Sequence, residues 1–379
     1  MRFAHFSDTH LGFRQYGLYE REMDFYRAFE KTIAKIAEER PDFVLHCGDL
    51  FDAPKPPPRA LWVAQRSFAK LKETGIPVSA ITGNHDMLFR RGSMPPQVLY
   101  KDMGVRMLTE EEPFLMHKDI FIGGVPYHSK HYSESLRESL RVLSSKASKH
   151  AKSIIMIHQA TDRHMPKAFE LEISEIPKNF SYYAMGHLHA RITESFGKGK
   201  IVYPGPAELW SLNEYEDYKR KGRGFTLVDL DGNVPEVQHV NIEPERELIR
   251  ETVNAGAAEA KIRQLREEFQ KMRKKPLLYL DVKEGGFDKS GLHELITAKL
   301  SDHVLSFRVS YVTEQDRPDR ARIERSFDLP QINEILKELL HDEKHAKLAG
   351  MLFRSLSAGN EEQASKEAES FYKSMGGGT

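Results

Sequence analysis

Five short polar clusters, each following an apolar run, hold the groups in this sequence that could do chemistry. They are Asp8-Thr9-His10, Gly48-Asp49-Leu50-Phe51-Asp52, Gly83-Asn84-His85-Asp86, His158-Gln159 and Gly186-His187-Leu188-His189. Asp8 and Asp49 offer carboxylates, Asn84 an amide, and His10, His158, His187 and His189 imidazoles. Oxygen and nitrogen donors without thiolates suit hard-to-borderline divalent ions of octahedral habit, such as manganese, iron or magnesium, and disfavour a structural zinc site. Two such ions roughly 3.5–4 Å apart can clamp a phosphodiester, activate water near neutral pH and stabilise both the attacking and the leaving oxygen. Ions held that close need a bridging anion, and one carboxylate reaches both. A lone histidine at a strand end is more commonly a hydrogen-bonded structural residue; here the weight lies in the set.

The elements that must position these groups can be read from the runs before them. Phe3 to Phe6, Phe43 to Cys47, Val78 to Ile81, Ile154 to Ile157 and Tyr182 to Met185 are short, rich in β-branched or aromatic residues and bounded by turn residues. Each reads as a buried strand. A polar group just past a strand's carboxyl end lies on the rim of a sheet, where ligands bind in open α/β folds. Between the runs, Tyr19, Met23, Tyr26, Phe29, Ile33 and Ile36 recur at helical spacing, as do Leu136, Leu140, Leu143 and Ala147. The first 230 residues therefore read as an α/β domain with helices packed outside stacked sheets. His5, His46 and Cys47 fall inside strand runs and read as core or as residues behind the ligands. Asp52 reads as a partner standing behind a ligand, and Asp86 as a residue that caps a turn or orients a neighbour.

The order and spacing D-x-H, G-D-x-x-D, G-N-H-D, H-Q and G-H-x-H resemble the calcineurin-type metallophosphoesterase signature. Longer stretches, Ala4 to Gly12, Gly48 to Phe51, Tyr182 to His189 and Tyr203-Pro204-Gly205, resemble the archaeal SbcD-type nucleases of the meiotic-recombination-eleven family, which act in DNA double-strand-break repair. The resemblance covers roughly the first 230 residues well and the remainder in layout. It implies a two-sheet sandwich flanked by helices. It further implies two Mn2+ ions per subunit, one held by Asp8, His10, Asp49 and His189 and the other by Asp49, Asn84, His158 and His187. Asp49 would be the bridge. His85 matches the family's catalytic histidine, which meets a phosphate oxygen or protonates the leaving 3′-oxygen, work suited to a side chain that titrates near neutrality. The expected activities are 3′–5′ exonuclease on duplex ends and endonuclease on single strands. Where the family commonly has Ser or Thr near Gly205, this chain has Pro206-Ala207.

Composition bounds the rest. A chain of 379 residues exceeds one typical core, and 40% hydrophobic with 30% charged residues marks a globular protein. Cys47 is the single cysteine, so no disulfide forms within the chain, which fits a reducing compartment. The sequence opens directly on a strand and carries no apolar run near the ~18 residues of a membrane span, so we expect a cytoplasmic, nucleoid-associated protein. The 56 basic and 56 acidic residues balance, which argues neither for nor against DNA. Local basic clusters at Arg90-Arg91 and at Lys219-Arg220 are candidate phosphate contacts, although such clusters are more commonly solvated loops.

The domain reading is 1–235 for the nuclease, 240–312 for a small α+β unit, 313–327 for a charged linker and 328–375 for a helical hairpin. Excess apolar surface on short peripheral helices often marks association, although ordinary packing on the sheet is the commoner role, and Leu61 and Phe68 near 58–73 with Val98 and Leu99 near 96–103 are the candidate self-association surface. The family layout implies a homodimer, a DNA-capping role for 240–312, and an ATPase partner whose coiled coil docks on the hairpin, where Leu352 and Phe353 lie on an apolar stripe. Asp328 to Gln331 and Asn360 to Gln363 read as capping boxes that open its helices. Rival functions are a small-molecule phosphodiesterase or protein phosphatase on the same centre, and a mainly structural subunit that tethers DNA ends.

Overall fold

The computed structural model describes residues 1–87, 94–283, 289–312, 342–357 and 361–374. Two six-stranded sheets face each other. One holds β1 (Arg2–Phe6), β2 (Phe43–Cys47), β3 (Val78–Ile81), β4 (Val105–Met107), β11 (Gly224–Asp229) and β12 (Glu236–Asn241), in the order β12-β11-β1-β2-β3-β4. The other holds β5 (Phe114–His117), β6 (Ile120–Val125), β7 (Lys152–His158), β8 (Tyr182–Gly186), β9 (Ile192–Phe196) and β10 (Gly199–Tyr203), in the order β5-β6-β7-β8-β10-β9. The first sheet continues past residue 235 to Asn241, because β12 pairs with β11 along its whole length.

Period-two alternation builds the layers. Ile154 and Met156 of β7 and Tyr182 and Ala184 of β8 point between the sheets and pack with Phe3, Phe43 and Leu45. Ile155, Ile157, Tyr183 and Met185 point the other way, onto α3 (Ser133–Ala147), whose Leu136, Leu140, Leu143 and Ala147 are buried. On the opposite outer face, α1 (Tyr19–Glu39) and α2 (Pro58–Glu73) cover the first sheet with Tyr26, Phe29, Ile33, Ile36, Ala64, Phe68 and Leu71. The result is a four-layer α/β/β/α sandwich.

Strands β1, β2 and β3 run parallel, as do β7 and β8, so their carboxyl ends reach the same edge within each sheet. That edge carries every cluster singled out above. The turns after β1 and β2 interlock, with the Asp8 amide donating to the Gly48 carbonyl at 3.0 Å and the Thr9 amide to that of Asp49 at 2.9 Å.

The described chain divides into two compact units. One is Met1–Arg250 with Gln264–Tyr279 and Lys299–Phe307; the other is Glu251–Arg263, Leu280–Ala298 and Arg308–Thr379. A three-stranded sheet orders β13 (Leu248–Asn254), β14 (Leu277–Lys283) and β15 (Ser306–Val312), with α5 (Ala258–Phe269) and α6 (Lys289–Leu300) as its connections. From Leu248 to Val312 the order is strand, helix, strand, helix, strand. Beyond it, helices Glu343–Ser357 and Glu361–Ser374 bring the rings of His345 and Phe371 to 5.3 Å, and Asp342 caps the first through the amides of Lys344 and His345. Residues 313–341, which include the expected linker and the box from Asp328, lie outside the described residues. No described helix is long and apolar enough to cross a membrane.

Candidate metal centre

Four residues of the clusters hold left-handed backbone: Asp8 (φ 56), His10 (φ 44), Asp49 (φ 53) and His187 (φ 85). Non-glycine residues rarely adopt this conformation, and where they do the surroundings impose it. Here it turns the chain sharply off each strand so that the side chain points into the rim. Two glycines are fixed by the same crowding. A Cβ on Gly48 would meet His158 Nδ1 at 2.2 Å, and one on Gly83 would meet Asp49 Oδ1 at 2.1 Å.

The donors fall into two adjoining groups. Ligand atoms of Asp8, His10 and His189 lie within 4.8 Å of one another, and so do those of Asp49, His158 and His187. Asn84 joins the second group, its Oδ1 standing 3.0 Å from His187 Nδ1 and 3.2 Å from His158 Nε2. Asp49 Oδ2 lies between the groups, 3.3 Å from His158 Nε2 and 3.9 Å from His10 Nε2. Its Oδ1 accepts the His85 amide at 2.9 Å. The two sheets are stitched across the centre by the His187 amide, which donates to Asp8 Oδ1 at 3.0 Å.

The outward-facing ring nitrogens show what the inward-facing ones can do. His158 Nδ1 donates to the Cys47 carbonyl at 2.7 Å, and His189 Nδ1 to Glu214 Oε1 at 2.8 Å. His10 Nδ1 stands 3.3 Å from Asp52 Oδ1, and His187 Nε2 stands 3.6 Å from Glu170 Oε1. With protons on the outer nitrogens, the inner nitrogens are the ones free to meet a cation, whether a proton or a metal ion. His10 Nε2 and His189 Nε2 then face each other at 3.1 Å. Two lone pairs that close, with a buried carboxylate beside them, repel unless a cation lies among them. The donor set therefore fits divalent ions.

The electrostatics agree. Burial opposes the charge of Asp49, yet the imidazoles of His158, His10 and His85 hold its carboxyl well below the usual range. Burial likewise opposes a charged His158, but the Asp49 carboxylate outweighs it and pushes the imidazole up to about 9. The field that attracts this proton attracts a divalent cation. Asp86 is not a ligand. It accepts the amides of Leu50, Phe51 and Gly83 at 3.3, 3.0 and 2.9 Å, and so clamps the turn after β2 to the turn after β3. Burial and the nearby Asp49 charge push it up to about 7.

A two-sheet α/β sandwich whose strand ends gather carboxylates, an amide and imidazoles into paired cation cradles is the architecture of a metal-dependent phosphodiesterase. The family model of calcineurin-like phosphoesterases matches residues 1–191. The DNA double-strand break repair protein Mre11 of Methanocaldococcus jannaschii is 37% identical over 352 residues, which are 90% of this chain and 89% of the relative. That of Methanococcus maripaludis is 36% identical over 76% of this chain and 79% of the relative, and that of Sulfurisphaera tokodaii 34% over 73% and 72%. The chain belongs to the Mre11 family of calcineurin-like phosphoesterases, and it is an enzyme that uses divalent metal.

The remaining candidates are placed as follows. His85 is half-buried, its Nδ1 donating to the Asp52 carbonyl at 2.9 Å and its ring edge-on to His10 with centroids 4.9 Å apart. His5, His46 and Cys47 are fully buried. Pro206 and Ala207 are buried in the loop after β10. Lys219 and Arg220 are exposed on α4 (Tyr215–Lys221), Lys219 over the Tyr215 ring and Arg220 paired with Asp217 at 3.2 Å. Leu61 and Val98 are half-buried and Leu99 is 62% exposed, whereas Phe68 is 1% exposed and packs on Phe29 and Tyr100 inside its own chain. Trp62, also on α2, is 52% exposed. Leu352 is half-buried. Arg90, Arg91 and the side chain of Phe353 lie outside the described residues.

Several residues escaped the motif reading. Glu170 and Glu214 stand behind His187 and His189. Tyr127 lies against His158 and His187, and Trp210 against His10 and His189, stacked on Phe13. Arg21, fully buried on α1, binds Asp24 at 2.9 Å and Glu208 at 3.0 Å, and so anchors the segment that carries Trp210 and Glu214. One signal was available: Ser211 and Glu214 have capping-box spacing, and the structure forms that box.

Proposed function

We propose that this chain is a two-metal-dependent DNA nuclease, a 3′–5′ exonuclease on duplex ends and an endonuclease on single strands. It acts in double-strand-break repair with a coiled-coil ATPase, in the cytoplasm and on the nucleoid. The observation that carries this reading is the convergence of Asp8, His10, Asp49, Asn84, His158, His187 and His189 into two adjoining cradles that share Asp49. The names of the relatives add the DNA substrate.

When bound, two divalent ions, for which we propose Mn2+, supply Lewis-acid charge to the phosphodiester and lower the pKa of water. Asp8, His10, Asp49 and His189 would hold one, and Asp49, Asn84, His158 and His187 the other, with the Asp49 carboxylate shared between the two cradles. His85 is the catalytic proton donor. Its Nδ1–H is engaged by the Asp52 carbonyl, so the ring meets substrate through Nε2. A neutral ring held this way accepts at Nε2, so donation to the leaving 3′-oxygen uses the imidazolium form. Asp52 thus has two duties, its carboxylate behind His10 and its carbonyl behind His85.

Around the centre we assign residues 1–241, through the last strand of the first sheet, to the nuclease domain, 248–312 to DNA capping, 313–327 to a linker and 328–375 to ATPase binding through Leu352 and Phe353. Lys219, Arg220, Arg90 and Arg91 are assigned to DNA phosphates. Leu61, Val98 and Leu99 are assigned to a homodimer that holds two DNA ends. The decisive experiment is a Mn2+-dependent assay on end-labelled duplex and single-stranded DNA beside a small phosphodiester. Cleavage of DNA with polarity from the 3′ end supports the reading. Turnover of the small phosphodiester alone rejects it in favour of a small-molecule phosphodiesterase.

A further inference from the structure

The two halves of the centre are not equivalent. On the Asp8 side, both imidazoles face carboxylates with their outer nitrogens, His10 toward Asp52 at 3.3 Å and His189 toward Glu214 at 2.8 Å. On the Asn84 side, His158 is backed by the neutral Cys47 carbonyl at 2.7 Å, and His187 has Glu170 only at 3.6 Å. The ligands repeat the contrast, since Asp8 is an anion and Asn84 a neutral amide. A carboxylate behind an imidazole fixes its tautomer and raises its basicity toward a metal.

Glu214 is the most firmly held of these partners. It is buried, and its Oε1 also receives the Ser211 amide at 3.2 Å and the Ser211 hydroxyl at 3.3 Å. Its Oε2 receives the Trp210 amide at 3.2 Å and Arg223 Nη2 at 2.9 Å. The same Arg223 nitrogen donates to the Glu214 carbonyl at 3.3 Å, so one guanidinium fixes both ends of the residue. Neither carboxylate oxygen is left to face an ion. Glu214 therefore acts through His189 and is not itself a ligand.

We propose that Glu214, locked by Arg223, is the positioning residue that makes the ion at Asp8, His10 and His189 the tighter-held of the two and the first to load. The proposal rests on the two-ion reading above and specifies its order. Charge and geometry act in the same direction: the carboxylate keeps the proton on His189 Nδ1, and the Nε2 lone pair is always presented to the ion.

The test is calorimetric titration of Mn2+ into the intact, chelator-treated chain. The expected result is two resolved binding events of unequal affinity. In Glu214→Gln the tighter event weakens about 10–100-fold and the weaker one keeps its affinity. A second measurement needs no variant: nitrogen-15 NMR of the imidazoles in the chain loaded with diamagnetic Mg2+, with His189 expected to carry its proton on Nδ1. Two events of equal affinity, a Glu214→Gln chain in which the weaker event moves or both are lost together, or a His189 proton on Nε2 each overturn the proposal and leave the two-ion reading standing. A parent chain that binds no Mn2+ overturns both.

Discussion

Asp49 sits where a single substitution separates folding from chemistry. Its Oδ2 faces ligand atoms of both cradles, while its backbone already satisfies the turn by accepting the amides of Thr9 and His10. Asp49→Ala removes a donor from two ions at once and the acceptor of the His85 amide, while the carbonyl at 49 keeps its bonds to the amides of Thr9 and His10. Expected are loss of bound Mn2+ by elemental analysis, abolished DNA cleavage and an unchanged circular dichroism spectrum; a variant that still holds two ions and cleaves normally would remove Asp49 from the bridge. His85 divides the roles the other way. It stands against His10, with Nδ1 taken by a carbonyl. His85→Ala should retain both ions while cleavage falls by ~10²–10⁴-fold, the usual contribution of a general acid or base. Loss of an ion in that variant would make His85 a ligand, and full activity would make it a bystander.

At the scale of elements, the sheets must be held face to face for the two sets of strand ends to meet, and His5 is one of the latches. From β1 its Nε2 donates to the Met185 carbonyl on β8 at 3.1 Å, and its Nδ1 accepts from the Tyr182 hydroxyl at 2.9 Å. Complete burial lowers this imidazole to about 3. The ring thus stays neutral in the fold, whereas in an unfolded chain it titrates near 6.5. Between those values the unfolded chain takes up a proton that the folded one refuses. The stabilisation is whole above pH 6.5 and is lost progressively as pH falls toward 3. His46, lowered to about 3 by burial, adds a second loss of the same sign. Melting temperature should drop through this acid window, and His5→Gln, which keeps one donor and one acceptor, should flatten the slope; an unchanged slope would assign the acid sensitivity to other groups. The strands and the donors gathered at their ends were legible in the sequence because each motif is local: an apolar run, a turn and a donor within a few residues. Glu214 and Glu170 were not. Their histidines lie 25 and 17 positions away, and an acid in a polar segment looks solvated until the fold buries it. Helical spacing also left one orientation unresolved. It singled out Leu61 and Phe68 as a surface but not which of them faces core or solvent, and the structure turns Phe68 inward while Leu61 is half-buried and Trp62 stays exposed.

At the scale of the whole molecule, the apolar groups left on the surface define the assembly we propose. Leu99 and Trp62 are large and exposed, and Leu99 lies on the 3₁₀ helix Pro96–Met103. Leu99→Asp should convert a dimer to monomers that keep activity on single-stranded DNA, as read by light scattering; an unchanged mass would move the interface elsewhere. The carboxyl-terminal helices make a different case. Helices Glu343–Ser357 and Glu361–Ser374 are short, and a segment of some fifty residues buries little surface by itself. Leu348 and Leu352 remain half-exposed in the first of them. A partner that covers a leucine gains ~1.5–3 kcal/mol, so Leu352→Glu should weaken the complex with a coiled-coil ATPase by at least tenfold. Deleting 328–375 should leave Mn2+-dependent cleavage by the isolated chain intact, because every proposed ligand lies before residue 190. The same deletion should abolish ATP-stimulated cleavage of duplex ends, since the ATPase would no longer be held near the centre. Pull-down of the truncated chain with the ATPase decides the matter: undiminished binding would place the partner surface on another part of the molecule.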